Sequence, residues 1–170
     1  MKKARLLFIS VLLILFDQFT KYLATIKLKG KEPFDVIEGV FQFYYHENNG
    51  SAFGMFGGKT IFLLVFTSLI LLGILYIYFK MPDDKKFMPL RILTMFLIAG
   101  AVGNLIDRFT YHYVVDFLYF ELIDFPIFNV ADCYITVTAV VMLLLSFFYY
   151  KEEDFDRLVA EIKGKKKKEQ

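Results

Sequence analysis

Two aspartates stand where the chain is least suited to hold them. Residues 114–137, VVDFLYFELIDFPIFNVADCYITV, are among the most apolar in the sequence, yet they carry Asp116 and Asp132. An ionised carboxylate in such surroundings costs free energy unless it is paired, hydrated or put to use. Neither aspartate has a Lys or Arg within four positions. Two carboxylates sharing a partly desolvated site cannot both ionise easily, so one proton is held between them. One partner can then take a proton from water while the other polarises a carbonyl, which is the chemistry of peptide hydrolysis by an acid pair. Their separation of 16 positions permits a meeting across a loop but does not demonstrate it. Singly, each has a plainer explanation. Asp132 suits a helix N-terminus, where the dipole favours negative charge, and Asp116 suits an interfacial loop facing water.

Other polar residues gather at the same depth. Asp17 and Lys21 are four apart, the spacing of a favourable pair on one helix face. Mutual neutralisation within a bundle accounts for them as well as a direct role in chemistry does. Asn104, Asp107 and Arg108 follow one another closely, and an Asp107–Arg108 contact is expected to steady that helix end. Gly100 and Gly103, with Ala99 and Ala101, make a small-residue surface where helices can approach. Asn48 and Asn129 carry amides able to donate to a carboxylate or a developing oxyanion.

The elements that must position these groups are membrane spans. Of the 170 residues 57% are hydrophobic, with a mean hydropathy of +0.50, well beyond a soluble domain of this size. Four apolar runs explain the excess, at residues 6–26, 61–79, 92–106 and 128–150, within spans expected at about 6–26, 60–79, 90–108 and 128–150. Each is close to the ~20 residues that cross a hydrocarbon core. The expected fold is an all-α integral membrane protein of four transmembrane helices with a small extracytoplasmic β-sheet or hairpin at residues 34–56. Residues 1–150 form one domain and 151–170 a basic cytoplasmic tail.

Charge placement orients it. Lys2, Lys3 and Arg5 precede the first run, Lys80, Lys85, Lys86 and Arg91 join the second to the third, and Lys151, Arg157, Lys163 and Lys165–Lys168 follow the fourth. The positive-inside rule puts these segments and both termini in the cytoplasm. Counting ~1.5 Å per residue, Asp17 and Lys21 then lie in the outer half of their span, with Asn104, Asp107, Arg108, Asn129 and Asp132 at outer ends. Three spans and a loop thus deliver their costly groups to one level, expected to open outward. Tyrosines near the span ends (Tyr44, Tyr45, Tyr111, Tyr113 and Tyr119 outside; Tyr76, Tyr78, Tyr149 and Tyr150 inside) must supply the interfacial belt, since the chain has no Trp. Phe155, Leu158, Val159 and Ile162 give the tail an amphipathic start. Its lysines suit anionic headgroups, although a solvated tail that only fixes topology is the preferred reading.

The start, MKKARLLFISVLLILF, resembles a secretory signal, but no A-x-A-like cleavage site follows, so a retained first span is expected. The single cysteine, Cys133, admits no internal disulfide. His46 and His112 are the only histidines and no H-E-x-x-H occurs, so a metalloprotease is the weaker reading, and each His is expected to be an interfacial or loop residue. A small proton-coupled transporter, or a subunit of one, is the main rival. It would place polar groups through the full membrane depth, whereas the inner halves of these spans nearly lack them.

Five boxes together resemble the lipoprotein signal peptidases, the type II signal peptidases of bacteria. They are DQFTKYL (Asp17 to Leu23), NNGSAFG (Asn48 to Gly54), GAVGNLIDR (Gly100 to Arg108), VVDF (Val114 to Phe117) and FNVAD (Phe128 to Asp132). The resemblance implies a membrane aspartyl endopeptidase without metal or cofactor. Such an enzyme removes signal peptides from prolipoproteins just before a cysteine carrying diacylglycerol. It implies Asp116 and Asp132 as the catalytic dyad. Asp17, Lys21, Asn48, Gly50, Asn104, Arg108, Asn129 and Ala131 correspond to positions that shape the pocket or engage substrate. The implied setting is the bacterial cytoplasmic membrane. The implied partners are the lipidated substrate and membrane lipids, with no nucleic acid, and the implied enzyme is a monomer.

Overall fold

The computed structural model describes residues 3–50 and 60–164. Lys2, Lys59, the end of the expected outer segment at 51–56 and the lysines at 165–168 lie outside them.

Among the described residues, five α-helices and three strands follow in the order α1 (Lys3–Leu28), β1 (Phe34–Ile37), β2 (Phe41–Asn48), α2 (Thr60–Lys80), α3 (Met88–Tyr111), β3 (Val114–Tyr119), α4 (Val130–Phe148) and α5 (Glu152–Ile162). Helices α1 to α4 are each long and apolar enough to cross a membrane. The four-span expectation is met, with spans that run a few residues past or short of the apolar runs. Helix α3 is the central one, packing against α1, α2 and α4, and it is the most buried of the four. That is why it tolerates so many polar residues: its neighbours, not lipid, surround them.

Local chemistry sets the element ends. Helix α1 stops where Gly30 adopts a left-handed φ of 72° and Lys31 N donates to Leu28 O at 3.0 Å. Pro89 sits in the first turn of α3, where its missing N–H costs nothing. His112 ends that helix at φ 66°, releasing the chain directly into β3.

The strands form one antiparallel sheet in the order β1-β2-β3. The small sheet was expected from residues 34–56, but its third strand was not. VVDFLY, read as a simple connection, pairs with β2 in the register His46↔Asp116, Glu47↔Val115 and Asn48↔Val114, after an irregularity between Phe43 and His46. The sheet packs on α1 and α3 through Ala24, Val115 and Phe117, with Phe43 and Tyr45 against them. Phe34, Val36 and Ile37 of β1 are exposed.

Two further expectations need correction. Tyr78 is fully buried among Leu6, Met95 and Ile98, where α1, α2 and α3 meet, and not in an interfacial belt. The tail does not begin as a free solvated segment. Helix α5 is tied to the α2–α3 connection by Arg157–Asp84 at 2.6 Å and Lys86–Asp154 at 3.3 Å.

Candidate active site

Asp116 is positioned by strand pairing and Asp132 by helix capping. Asp116 lies on β3 opposite His46 of β2, and Asn48, two residues further along β2, shares its face. Asn48 Nδ2 donates to Asp116 Oδ2 at 2.8 Å. On the other side, α4 opens with a capping box: Asp132 N donates to Asn129 Oδ1 and Asn129 N donates to Asp132 Oδ2, both at 3.1 Å. This arrangement satisfies two of the helix's unpaired N–H groups and leaves the Asp132 side chain at the mouth of the helix.

The chain between them leaves the site and returns. After β3 it makes a short 3₁₀ turn at Glu121–Ile123, then closes against β3, with Phe128 N donating to Leu118 O at 3.0 Å and Leu118 N to Phe128 O at 2.8 Å. That closure brings Asn129 beside Asp116, and Asn129 Nδ2 donates to Asp116 Oδ1 at 2.6 Å. One residue therefore holds both carboxylates, Asp116 through its side chain and Asp132 through its backbone. Asn104 completes the bridge, donating to Asp132 Oδ1 at 2.8 Å while its Oδ1 accepts from Asn129 Nδ2 at 3.2 Å.

Behind this pair lies a buried charge cluster. Lys21 contacts Asp17 Oδ2 and Asp107 Oδ2, each at 3.0 Å, and donates to Asn104 Oδ1 at 2.9 Å. All four residues are buried. The expected Asp17–Lys21 pair is present, with a third member that the sequence reading assigned elsewhere. Asp107 does not pair with Arg108. It faces α1 and also accepts from Val115 N at 3.1 Å, tying α3 to the residue next to Asp116. Adjacent residues on a helix do not face one another, so Arg108 points elsewhere. Its Nη2 donates to Gly50 O at 3.2 Å.

Gln18 is the residue the sequence reading missed. Its amide donates to Asp107 Oδ1 at 3.0 Å, Gly103 O at 3.1 Å and Asp17 Oδ2 at 3.2 Å. Its place beside Asp17 in a span was the available signal. Ala131 is fully buried and its N–H donates to Asp17 Oδ1 at 2.8 Å. The helices come this close because of the two glycines of α3. A Cβ on Gly103 would lie 2.5 Å from Asp17 Oδ2, and one on Gly100 would lie 2.6 Å from Ala131 O. Gly50 is buried, its N–H donating to Asn48 Oδ1 at 2.9 Å, which fixes the amide that faces Asp116. The structure thus gathers Asp17, Lys21, Asn48, Gly50, Asn104, Arg108, Asn129 and Ala131 around Asp116 and Asp132. His46 and His112 are both exposed, and Cys133 is half-buried within α4.

Asp116 is 1% exposed whereas Asp132 is half-buried. Burial first, and the neighbouring Asp132 charge second, push the Asp116 carboxyl up to about 7, against the opposing hydrogen bonds from Asn48 and Asn129. A carboxyl with that affinity for a proton is poised for acid–base work near neutrality.

Four spans, a sheet at one end and a polar site under it define a multi-pass membrane enzyme. Solved structures agree: two bacterial membrane enzymes, determined by the in meso method at 2.3 Å and 1.9 Å, each match with a TM-score of 0.75 and 32% identity. The first covers 98% of this chain and 94% of its own, the second 86% and 95%. Residues 9–148 match the family model described as Signal peptidase (SPase) II, and the chain belongs to that family. Similar curated proteins are the lipoprotein signal peptidases of Clostridium tetani, 40% identical over 87% of this chain and 94% of the relative, and of Clostridium novyi, 39% identical over 79% and 95%. That of Staphylococcus aureus strain Newman is 37% identical over 80% and 83%. The protein is a protease that removes signal peptides from prolipoproteins.

Proposed function

We propose that Asp116 and Asp132 are the catalytic dyad of an aspartic endopeptidase that cuts the prolipoprotein just before a diacylglyceryl-modified cysteine. The observation that carries this reading is the double hold of Asn129 on the two carboxylates, at 2.6 Å and 3.1 Å. Asp132 is the ionised partner. It accepts N–H donors on both oxygens, stands at a helix N-terminus and is open to water. It takes a proton from a water molecule as the water oxygen attacks the scissile carbonyl carbon. Asp116, buried and protonated, gives its proton to the carbonyl oxygen. When the tetrahedral intermediate collapses, the proton on Asp132 passes to the leaving amine and Asp116 recovers its own.

The remaining polar residues hold this pair in place. Asn48 and Asn129 orient Asp116. Asn104 orients Asp132, and the Lys21 cation fixes the Asn104 amide so that its N–H faces the carboxylate. Asp17, with Ala131, anchors the start of α4, and Arg108 steadies the Gly50 backbone. The exposed side chains of Phe34, Ile37, Leu122 and Ile123 form an apolar rim on the sheet and the 3₁₀ turn. We read that rim as lying in lipid, presenting a membrane-held substrate to the dyad.

The enzyme acts as a monomer in the bacterial cytoplasmic membrane, with residues 1–150 as one peptidase domain. Both termini and the basic tail at 151–170 are cytoplasmic, and the dyad is near the extracytoplasmic face. Purified enzyme should cleave a prolipoprotein carrying diacylglycerol on its cysteine, and cleave the unlipidated form at least ~100-fold more slowly, since acyl burial supplies ~0.8 kcal/mol per CH2. Equal kcat/KM for both forms would remove the lipid from the recognition scheme.

A further inference from the structure

Helix α5 is held against the spans with an apolar stripe left uncovered. Besides its two ion pairs to the α2–α3 connection, Ile162 O accepts from the Tyr76 hydroxyl at 3.1 Å. Tyr76 is one turn before the end of α2 at Lys80, so the C-terminal end of α5 folds back alongside a span and does not project away from it. One side of α5 packs inward: Leu158 lies against Met81, Phe87 and Tyr150, and Arg157 lies over the Phe87 ring. Phe155 and Val159, four residues apart and therefore on one stripe, remain exposed at 43% and 45%. Tyr76 and Phe79 of α2 are exposed as well, so the stripe continues the lipid-facing surface of that span.

We infer that α5 is an in-plane helix docked on the membrane surface, its Phe155–Val159 stripe seated at the boundary between headgroups and acyl chains. Depth, continuity with the α2 surface and charge all fit that occupant. A cleft of about 410 Å³ between the end of α2 and α5 is lined by Lys80, Arg157, Asp83 and Glu161, both signs together, as headgroups carrying a phosphate and an ammonium require. Lys163 follows the stripe, and four more lysines come after it in sequence. A helix with a charged side and an aromatic-aliphatic side lies in the interface plane in this way. The role is independent of the dyad and serves to hold the inner ends of α2, α3 and α4 at a fixed depth.

The chain contains no tryptophan, so a single introduced one reports on its own surroundings. Full-length Val159→Trp, Phe155→Trp and, as the outward-facing control, Glu153→Trp would be placed in phosphatidylcholine–phosphatidylglycerol vesicles, with and without bromine on the acyl chains. Both stripe variants should emit to the blue of the control and be quenched by brominated lipid about twofold or more above it, consistent with burial of ~5–10 Å. Stripe emission and acrylamide quenching equal to the control would overturn the proposal. So would a blue-shifted emission insensitive to bromine, which would mean that protein and not lipid covers the stripe.

Discussion

Asp132→Asn and Asp116→Asn should each retain fold and substrate binding while losing roughly 10³-fold or more in turnover, because positioned proton transfer supplies about 10²–10⁴-fold and both transfers run through this pair. The two losses have different origins. Asn at 132 cannot take a proton from water; it keeps an oxygen for the Asn129 backbone N–H, and its own amide hydrogens then face the Asn104 amide. Asn at 116 still fits between the Asn48 and Asn129 amides, but one of its own amide hydrogens must then face a donor. Both variants therefore turn an amide hydrogen toward a donor, and the stability cost should be larger for Asp116→Asn, at a fully buried position, than for Asp132→Asn at a half-buried one. Cleavage of lipidated prolipoprotein by the purified variants, measured alongside substrate binding, separates these effects. Near wild-type turnover in either variant would dismiss that residue from the chemistry.

Lys21→Met should unfold the site without touching it. Lys21 is the cation between Asp17 and Asp107, all three buried, and its removal leaves two carboxylates facing each other across the Gln18 amide. Breaking a buried ion pair from one side costs about 3–5 kcal/mol, because the partner charge remains uncompensated. The Asn104 amide also loses the contact that fixes its orientation toward Asp132. Thermal unfolding in detergent should show a large fall for Lys21→Met, and partial recovery when Asp107→Asn is added, since one stranded charge is then gone. A melting temperature unchanged by Lys21→Met, or a further fall in the double variant, would mean that the cluster does not work as described.

The spans and the site differed in how far they could be read from sequence. Runs of ~20 apolar residues have one economical use, so the four helices were legible. The charged groups were legible as a set because three helices carried them to one end. Strand β3 was not, since VVDFLY between two spans has the same apolar character whether it connects them or pairs with a sheet. Its partner lies 68 residues away at Asn48–Asp116, and no local pattern reports that separation. Asp107 was misassigned for a geometric reason. Its neighbour in sequence, Arg108, is about 100° away around the helix, while Lys21 on α1 faces it. The tail's helical period was visible, but the ion pairs that fasten it depend on where the α2–α3 connection folds. The sharing of Asn129 as a partner by Asp116 and Asp132 was only permitted by their spacing. It depends on the closure of Phe128 onto Leu118 and on the capping box that follows.

A single proton shared by the dyad is the centre of this account, and infrared titration of carboxyl groups in the membrane-embedded enzyme measures it most directly. The wild type should show a protonated carboxyl band that persists as pH rises and is lost near 7. Asp116→Asn should abolish that band. Asp132→Asn should move its loss to lower pH, because the neighbouring negative charge that raises Asp116 is gone. A band that survives in Asp116→Asn, or that titrates identically with and without Asp132, would show that the two carboxylates do not act together.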